Sequence, residues 1–203
     1  DRLPDGIRFA SDLSDSKKYL IPQAASALNK MLTDWVSWMK SQSGFVDSNG
    51  TYAEISSMFR TLEDQQKLYD SYKGVGVATP GKSNHGWGIS LDFKFHKKDG
   101  SAINNRNGVS PNVKEGFDYT INQSLKWLIE NSYAYGFILP YELRSGGKND
   151  EFWHFEYHGT SAKCILSKNN QFRGPNGAND GITVNVTKGY DAIVKNPLGI
   201  DNK

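Results

Sequence analysis

The sequence predicts an α+β fold in which helices pack on a small antiparallel sheet. In some segments apolar residues recur every three or four positions, which is typical of amphipathic helices, and in others they alternate with polar residues, which is typical of strands. These segments do not alternate strictly along the chain, which argues against a parallel α/β sheet. The 203 residues, of which 37% are hydrophobic, are enough for one globular domain.

Three segments have the pattern of helices. The first contains Pro22, a favourable first helical residue, and Gly44 follows its end. The second opens at Thr61, which begins a capping box, and Gly136 lies just past the end of the third. The predicted helices cover residues 21–43, 61–72 and 119–135.

Four segments have the pattern of strands. The clearest is residues 91–96, where Leu91, Phe93 and Phe95 are expected to face the core and Asp92 the opposite side of the sheet. The predicted strands cover residues 51–60, 91–96, 137–141 and 153–157, and polar loops cover residues 97–116 and 142–150.

The pattern weakens after Gly159. We therefore predict one domain over residues 1–159, with its core at about 20–159, and a C-terminal extension, residues 160–203, that packs on the domain or connects to another. Because the sequence begins at Asp1 and not at Met, we expect a processed or excised piece of a longer protein.

Charge and composition exclude several classes. The net charge of +2 gives no electrostatic footprint for nucleic acid, so we expect no such partner. No run of eighteen apolar residues and no signal peptide is visible, and Cys164 is the single cysteine, which excludes an internal disulfide. We expect a monomer.

The most informative residues are two histidines and two carboxylates. His85 lies between a glycine-rich loop and a strand, Asp92 lies on the polar face of that strand, and His154 lies on another strand. Two imidazoles and a carboxylate are typical zinc ligands, and a catalytic zinc site uses three protein ligands. Glu151 is close enough to His154 to accept a proton from water at such a metal. By alternation alone, Glu156 and His158 compete with His154 as ligands or as its partners.

Three stretches then resemble one known family. Residues 83–92 resemble the signature S-x-H-x-x-G-x-A-x-D, residues 151–154 match E-x-W-H, and residues 59–65 resemble Y-R-S-x-x-x-Q. These are signatures of VanY-like zinc D-Ala-D-Ala carboxypeptidases and related cell-wall endopeptidases, in the wider group that includes lysostaphin and the hedgehog domain. The resemblance covers roughly residues 20–159. Phe59 and Ser90 depart from the usual Tyr and Ala, and neither is a proposed ligand.

The resemblance implies a hedgehog/DD-peptidase-like zinc peptidase fold with one Zn²⁺ ion. It implies that His85, Asp92 and His154 bind the metal, which favours His154 over its neighbours on the strand. Glu151 would be the catalytic base and then the acid, and Arg60 would stabilise the oxyanion. The resemblance assigns substrate contacts to Gln65, Ser83 and Trp153, the last packed beneath the metal.

The substrate implied by the resemblance is the peptidoglycan stem peptide, at the bacterial cell wall. Two reactions stay open: removal of a terminal D-Ala by a carboxypeptidase, or an internal cut such as L-Ala-D-Glu by an endopeptidase. The missing initial Met, the absent signal and the C-terminal extension favour a phage endolysin or virion-associated lysin. The alternative is a zinc-bearing module that binds cell wall or protein without hydrolysis, but such a module needs neither Glu151 nor Arg60.

Overall fold

A five-stranded sheet organises the molecule. The computed structural model describes residues 3–41, 53–95, 119–144, 151–171 and 184–186. The strands are β1 Ile7–Phe9, β2 Ala53–Ser57, β3 Ser90–Phe95, β4 Phe137–Ile138 and β5 His154–Tyr157, in the sheet order β1-β2-β3-β5-β4. The helices are α1 Pro22–Ser41, α2 Leu62–Ser71, α3 Tyr119–Asn131 and α4 Ser161–Gln171. The predicted α+β class is thus confirmed.

The sheet is antiparallel except at one edge. The pairs β2–β3, β3–β5 and β4–β5 are antiparallel, whereas β1 pairs with β2 in parallel. The sequence analysis did not predict β1, because this strand has only three residues within a polar segment and carries no alternating pattern of its own. Its pairing is set by contact with β2, which lies more than forty residues away.

The core lies between α1 and one face of β3. Trp35 of α1 is fully buried, and its ring centroid lies 5.4 Å from that of Phe93 and 6.3 Å from that of Phe95. The predicted inward set on β3, Leu91, Phe93 and Phe95, is at most 1% exposed. Burial of each such side chain contributes about 1.5–3 kcal/mol. Asp92 consequently points to the opposite face, where the site lies.

Several predicted elements end differently from expectation. The strand predicted for residues 51–60 ends at Ser57, because a bulge disturbs its pairing and the chain then turns toward the site. The strand predicted for 137–141 ends at Ile138, because Pro140 has no N–H to continue the ladder and a 3₁₀ turn follows. The third predicted helix ends as a 3₁₀ turn before Gly136. The loop 97–116, residues 145–150 of the second predicted loop, His96 and the predicted element residues 42–43 and 51–52 lie outside the described residues.

Helix α4 extends beyond the resemblance. Its residues Ala162 and Leu166 are buried, and the Tyr133 hydroxyl donates to the backbone carbonyl of Asn185 at 2.9 Å.

In the described parts of the chain, no helix combines the length and the apolar character that crossing a bilayer requires.

Candidate metal centre and active-site cleft

A short 3₁₀ turn over Asn84–Trp87 presents His85. Gly88 ends this turn with a left-handed φ of 66°, and its carbonyl accepts a bond from the Ile21 N–H at 2.9 Å. The His85 ring is buried, and its Nδ1 lies 2.6 Å from the carbonyl oxygen of Met58. A carbonyl only accepts, so Nδ1 carries the hydrogen and donates it. The other nitrogen, Nε2, lies 3.4 Å from Oδ1 of Asp92.

The sheet supplies the other two candidate ligands. Asp92 on β3 pairs directly with His154 on β5, and Nδ1 of His154 lies 2.8 Å from Oδ1 of Asp92. The two imidazole rings lie edge to face, with centroids 5.0 Å apart. One ligand atom from each of His85, Asp92 and His154 lies within 4.8 Å of the others.

These three groups fit a metal ion. Each histidine uses one ring nitrogen for a hydrogen bond that points away from the other candidate ligands. For His85 this is Nδ1, bonded to the Met58 carbonyl, and for His154 it is Nε2, which lies 3.1 Å from Glu156. The remaining nitrogens both face the Asp92 carboxylate. When both rings are neutral, two nitrogen lone pairs and a carboxylate oxygen converge, which is favourable only with a cation between them. Neutral imidazoles and a carboxylate are the donors that zinc prefers.

Without a metal, protons stabilise the same cluster. Burial alone would raise the pKa of Asp92, but the charge of His85 and a hydrogen bond from His154 hold it well below its usual range. Burial lowers the pKa of His154, but hydrogen bonds to Asp92 and Glu156 outweigh it and raise that pKa to about 10. Both ring nitrogens of His154 therefore donate in the metal-free protein.

A cleft of about 600 Å³ opens above the three ligands. Glu151, Arg60, Ser83 and Trp153 line it together with them. The carbonyl of Glu151 accepts the His154 N–H at 2.9 Å, a tight turn that keeps this carboxylate beside the ligands. Burial raises the pKa of Glu151, and the charge of His154 partly opposes that rise. The structure thus brings the predicted acid–base residue to the predicted ligands.

Gln65, which we predicted to contact the substrate, lies against Arg60 and is bonded within the protein. It is 2% exposed, and its carbonyl oxygen accepts from Nη1 of Arg60 at 2.9 Å while its amide nitrogen donates to the Ala78 carbonyl at 2.7 Å. Nη2 of Arg60 lies 3.2 Å from Oγ of Ser57, to which it donates. Both ends of the Gln65 amide are therefore used within the protein, and Gln65 fixes the position of the Arg60 guanidinium.

Sequence reasoning missed the contact of Met58 with His85. A backbone carbonyl has no signature in the sequence, and the two residues are 27 positions apart. The bulge between Ile55 and Ser57 and the end of β2 bring this carbonyl to the ring.

Comparisons with known proteins identify the family of the chain. Residues 17–160 match the family model of VanY, described as D-alanyl-D-alanine carboxypeptidase. A D-alanyl-D-alanine carboxypeptidase of Enterococcus faecalis is 30% identical over 135 residues, which are 57% of this chain and 43% of that protein. The peptidoglycan L-alanyl-D-glutamate endopeptidase CwlK of Bacillus subtilis is 36% identical over 74 residues, which are 31% of this chain and 44% of CwlK.

A solved structure shares the fold. The LD-carboxypeptidase LdcB superimposes with a TM-score of 0.54 at 23% identity, over 83% of this chain and 75% of that one. The chain spans about half the length, or less, of the curated relatives it matches. Because the matched region exceeds half of this chain, the chain belongs to the VanY family of D-alanyl-D-alanine carboxypeptidases.

Proposed function

We propose that the chain is a zinc-dependent peptidase that hydrolyses peptide bonds in peptidoglycan stem peptides at the bacterial cell wall. One observation carries this proposal: the two histidines and the aspartate that can hold a metal share a single cleft with Glu151 and Arg60. Membership of the VanY family supports the substrate class. A single zinc ion and a monomer suffice for the chemistry.

The roles follow from the geometry and the ordinary chemistry of each group. When bound, zinc supplies a Lewis acid that polarises a carbonyl and lowers the pKa of a coordinated water to about 7. Glu151 accepts the proton of the attacking water and donates it to the leaving amine, and burial, which raises its pKa, suits it to this exchange. Arg60, fixed by Gln65 and Ser57, places a cation beside the developing oxyanion. Ser83 and Trp153 form walls that contact the peptide.

The alternative is a binding module that carries zinc without hydrolysis. Such a module needs the three ligands only. A half-buried carboxylate and a guanidinium held by two hydrogen bonds in the same cleft are costly to maintain without a catalytic use, so Glu151 and Arg60 favour the peptidase.

The bond that is cut has two candidates. The family description favours removal of a terminal D-Ala by a carboxypeptidase, and we propose this reaction first. The similarity to CwlK supports an L-Ala-D-Glu endopeptidase as the second candidate. An origin in a phage lysin stays a prediction.

Defined stem peptides distinguish these possibilities. The purified chain is incubated with penta- and tetrapeptide fragments, with and without a chelator, and the products are identified by mass spectrometry. Loss of one terminal Ala that the chelator abolishes supports the carboxypeptidase, and an internal cut supports the endopeptidase. Zinc bound without any product overturns the peptidase in favour of the binding module.

A further inference from the structure

Alternation along β5 places His154 and Glu156 on one face, and His158, directly after the strand, continues the same pattern. The Glu156 carboxylate lies between the two rings. Its Oε1 is 3.1 Å from Nε2 of His154, and its Oε2 is 3.0 Å from Nε2 of His158. Asn84 is a third hydrogen-bonding partner of this carboxylate. The Glu156 side chain is only 13% exposed, and each of its oxygens has an imidazole partner.

We infer that Glu156 is a positioning residue that orients His154 with Nδ1 toward the metal, and that His158 and Asn84 hold Glu156 in place. The inference rests on the proposed zinc site. It adds an outer layer of residues to the three ligands, and it assigns a specific ligand nitrogen to His154.

The geometry separates this role from direct coordination. The two nitrogens of an imidazole point away from each other, and the candidate ligand atoms converge on the Nδ1 side of His154. Glu156 contacts Nε2, on the far side of the ring. A carboxylate at that place fixes the N–H on Nε2, leaves the lone pair on Nδ1, and makes that nitrogen a better donor to a metal.

The carboxylate also joins two elements of the site. Asn84 directly precedes the ligand His85, whereas His154 lies on β5. One side chain therefore links the 3₁₀ turn to the strand, so loss of Glu156 should loosen both histidines.

Zinc affinity tests the inference. Glu156→Ala should weaken zinc binding by about 10–100-fold, as measured by competition with a chromophoric chelator. Glu156→Gln keeps the side-chain volume and one acceptor oxygen, so its zinc affinity should fall less than that of Glu156→Ala. The zinc affinity of His158→Ala should fall by a few-fold. The matched control is Glu54→Ala. Glu54 is a buried carboxylate of the same sheet that pairs with Arg8 at 2.7 Å, and its removal should leave zinc affinity unchanged.

A spectroscopic readout distinguishes orientation from simple destabilisation. Long-range ¹H–¹⁵N NMR spectra of the zinc-bound wild type should show His154 coordinated through Nδ1, with a slowly exchanging proton on Nε2. In Glu156→Gln, which preserves the packing, that proton should exchange faster. Coordination through Nε2 in the wild type, or wild-type zinc affinity in Glu156→Ala, would overturn the inference.

The outcome is separable from the proposed function. If the wild type bound no zinc, the proposed function and this inference would both fail. If the wild type bound zinc and cut stem peptides while Glu156→Ala bound zinc equally well, only this inference would fail.

Discussion

Asp92 and His154 lie directly opposite each other on β3 and β5, with Oδ1 of the carboxylate 2.8 Å from Nδ1 of the imidazole. Side chains that face each other across an antiparallel pair have Cβ atoms about 4.5–5.5 Å apart. Two of the three candidate ligands are thus brought together by strand pairing, without any contribution from a loop. His85 alone depends on a turn.

His154→Ala should abolish stoichiometric zinc binding. Zinc at a thousandfold excess over its Kd should raise the free energy of unfolding of the wild type by about 4 kcal/mol. The variant, which cannot bind the ion, should gain no such stabilisation. Metal analysis and thermal unfolding with and without zinc measure both effects. His158→Ala is the comparison: that ring contacts Glu156 and not Asp92, so this variant should keep stoichiometric zinc with an affinity only a few-fold lower. Full zinc content in His154→Ala would show that another residue is the ligand.

Glu151→Gln should retain zinc and lose about 10²–10⁴-fold in turnover, because the amide cannot accept the proton of water. Zinc content and the rate of product formation are measured on the same preparation. The control is Glu142→Gln, an exposed carboxylate in the preceding 3₁₀ turn, which should change neither. Wild-type turnover in Glu151→Gln would remove it as the base.

Arg60→Ala should lower turnover by roughly a hundredfold, as expected for loss of an oxyanion-stabilising group. Gln65→Ala should lower turnover in the same direction, because it releases Nη1 of Arg60. The double variant should be no slower than Arg60→Ala, since the two residues act as one unit. The control is Gln66→Ala, because Gln66 is an exposed neighbour whose amide nitrogen donates to Asp70 at 2.9 Å. Additive losses would mean that Gln65 contacts the substrate independently.

Zinc affinity should rise with pH. The pKa of His154 is raised to about 10 in the metal-free protein, so its contribution to the free energy of unfolding is full below pH 6.5 and is lost as pH rises through 10. Zinc needs Nδ1 unprotonated, and binding near pH 7 should therefore release about one proton from this ring. Calorimetry in two buffers of different ionisation enthalpy counts the protons. Equal affinity at pH 6.5 and 8.5 would contradict the assignment.

Gly88→Ala should destabilise the protein by more than the roughly 1–2 kcal/mol that a left-handed residue with a Cβ costs. Its φ is +66°, and a Cβ there would lie 3.3 Å from the Tyr19 ring and 3.4 Å from the Ile21 nitrogen. Gly76→Ala is the matched control, because its φ is +65° and nothing lies within 4 Å of a Cβ. Denaturant unfolding compares the two. An equal decrease in the free energy of unfolding in both variants would show that the turn at Gly88 accommodates the Cβ without further cost.

Much of this architecture could be predicted because its signals are local. The alternation in β3 determines which face Asp92 occupies, and Thr61 begins α2 as a helix cap whose hydroxyl accepts the Asp64 N–H at 3.1 Å. The signatures around His85 and His154 gave the candidate site, although their spacing alone did not exclude Glu156 or His158 as ligands.

The unpredicted parts depend on contacts between distant segments. Strand β1 forms only because β2 offers it an edge, and the Met58 carbonyl reaches His85 only because β2 bulges. The spacing of five residues between Arg60 and Gln65 is compatible with a side chain in the cleft or behind it. Gln65 is buried behind Arg60, where its amide nitrogen donates to the Ala78 carbonyl.

The alternation of β3 has a consequence for how this sequence can vary. Leu91 and Phe93 face the core while Asp92, between them, faces the cleft. Insertion or deletion of one residue before Leu91 would turn the apolar pair outward and the carboxylate inward at the same time. A change of length in this strand should therefore prevent folding as well as activity. Selection that maintains the hydrophobic core then also maintains the position of Asp92.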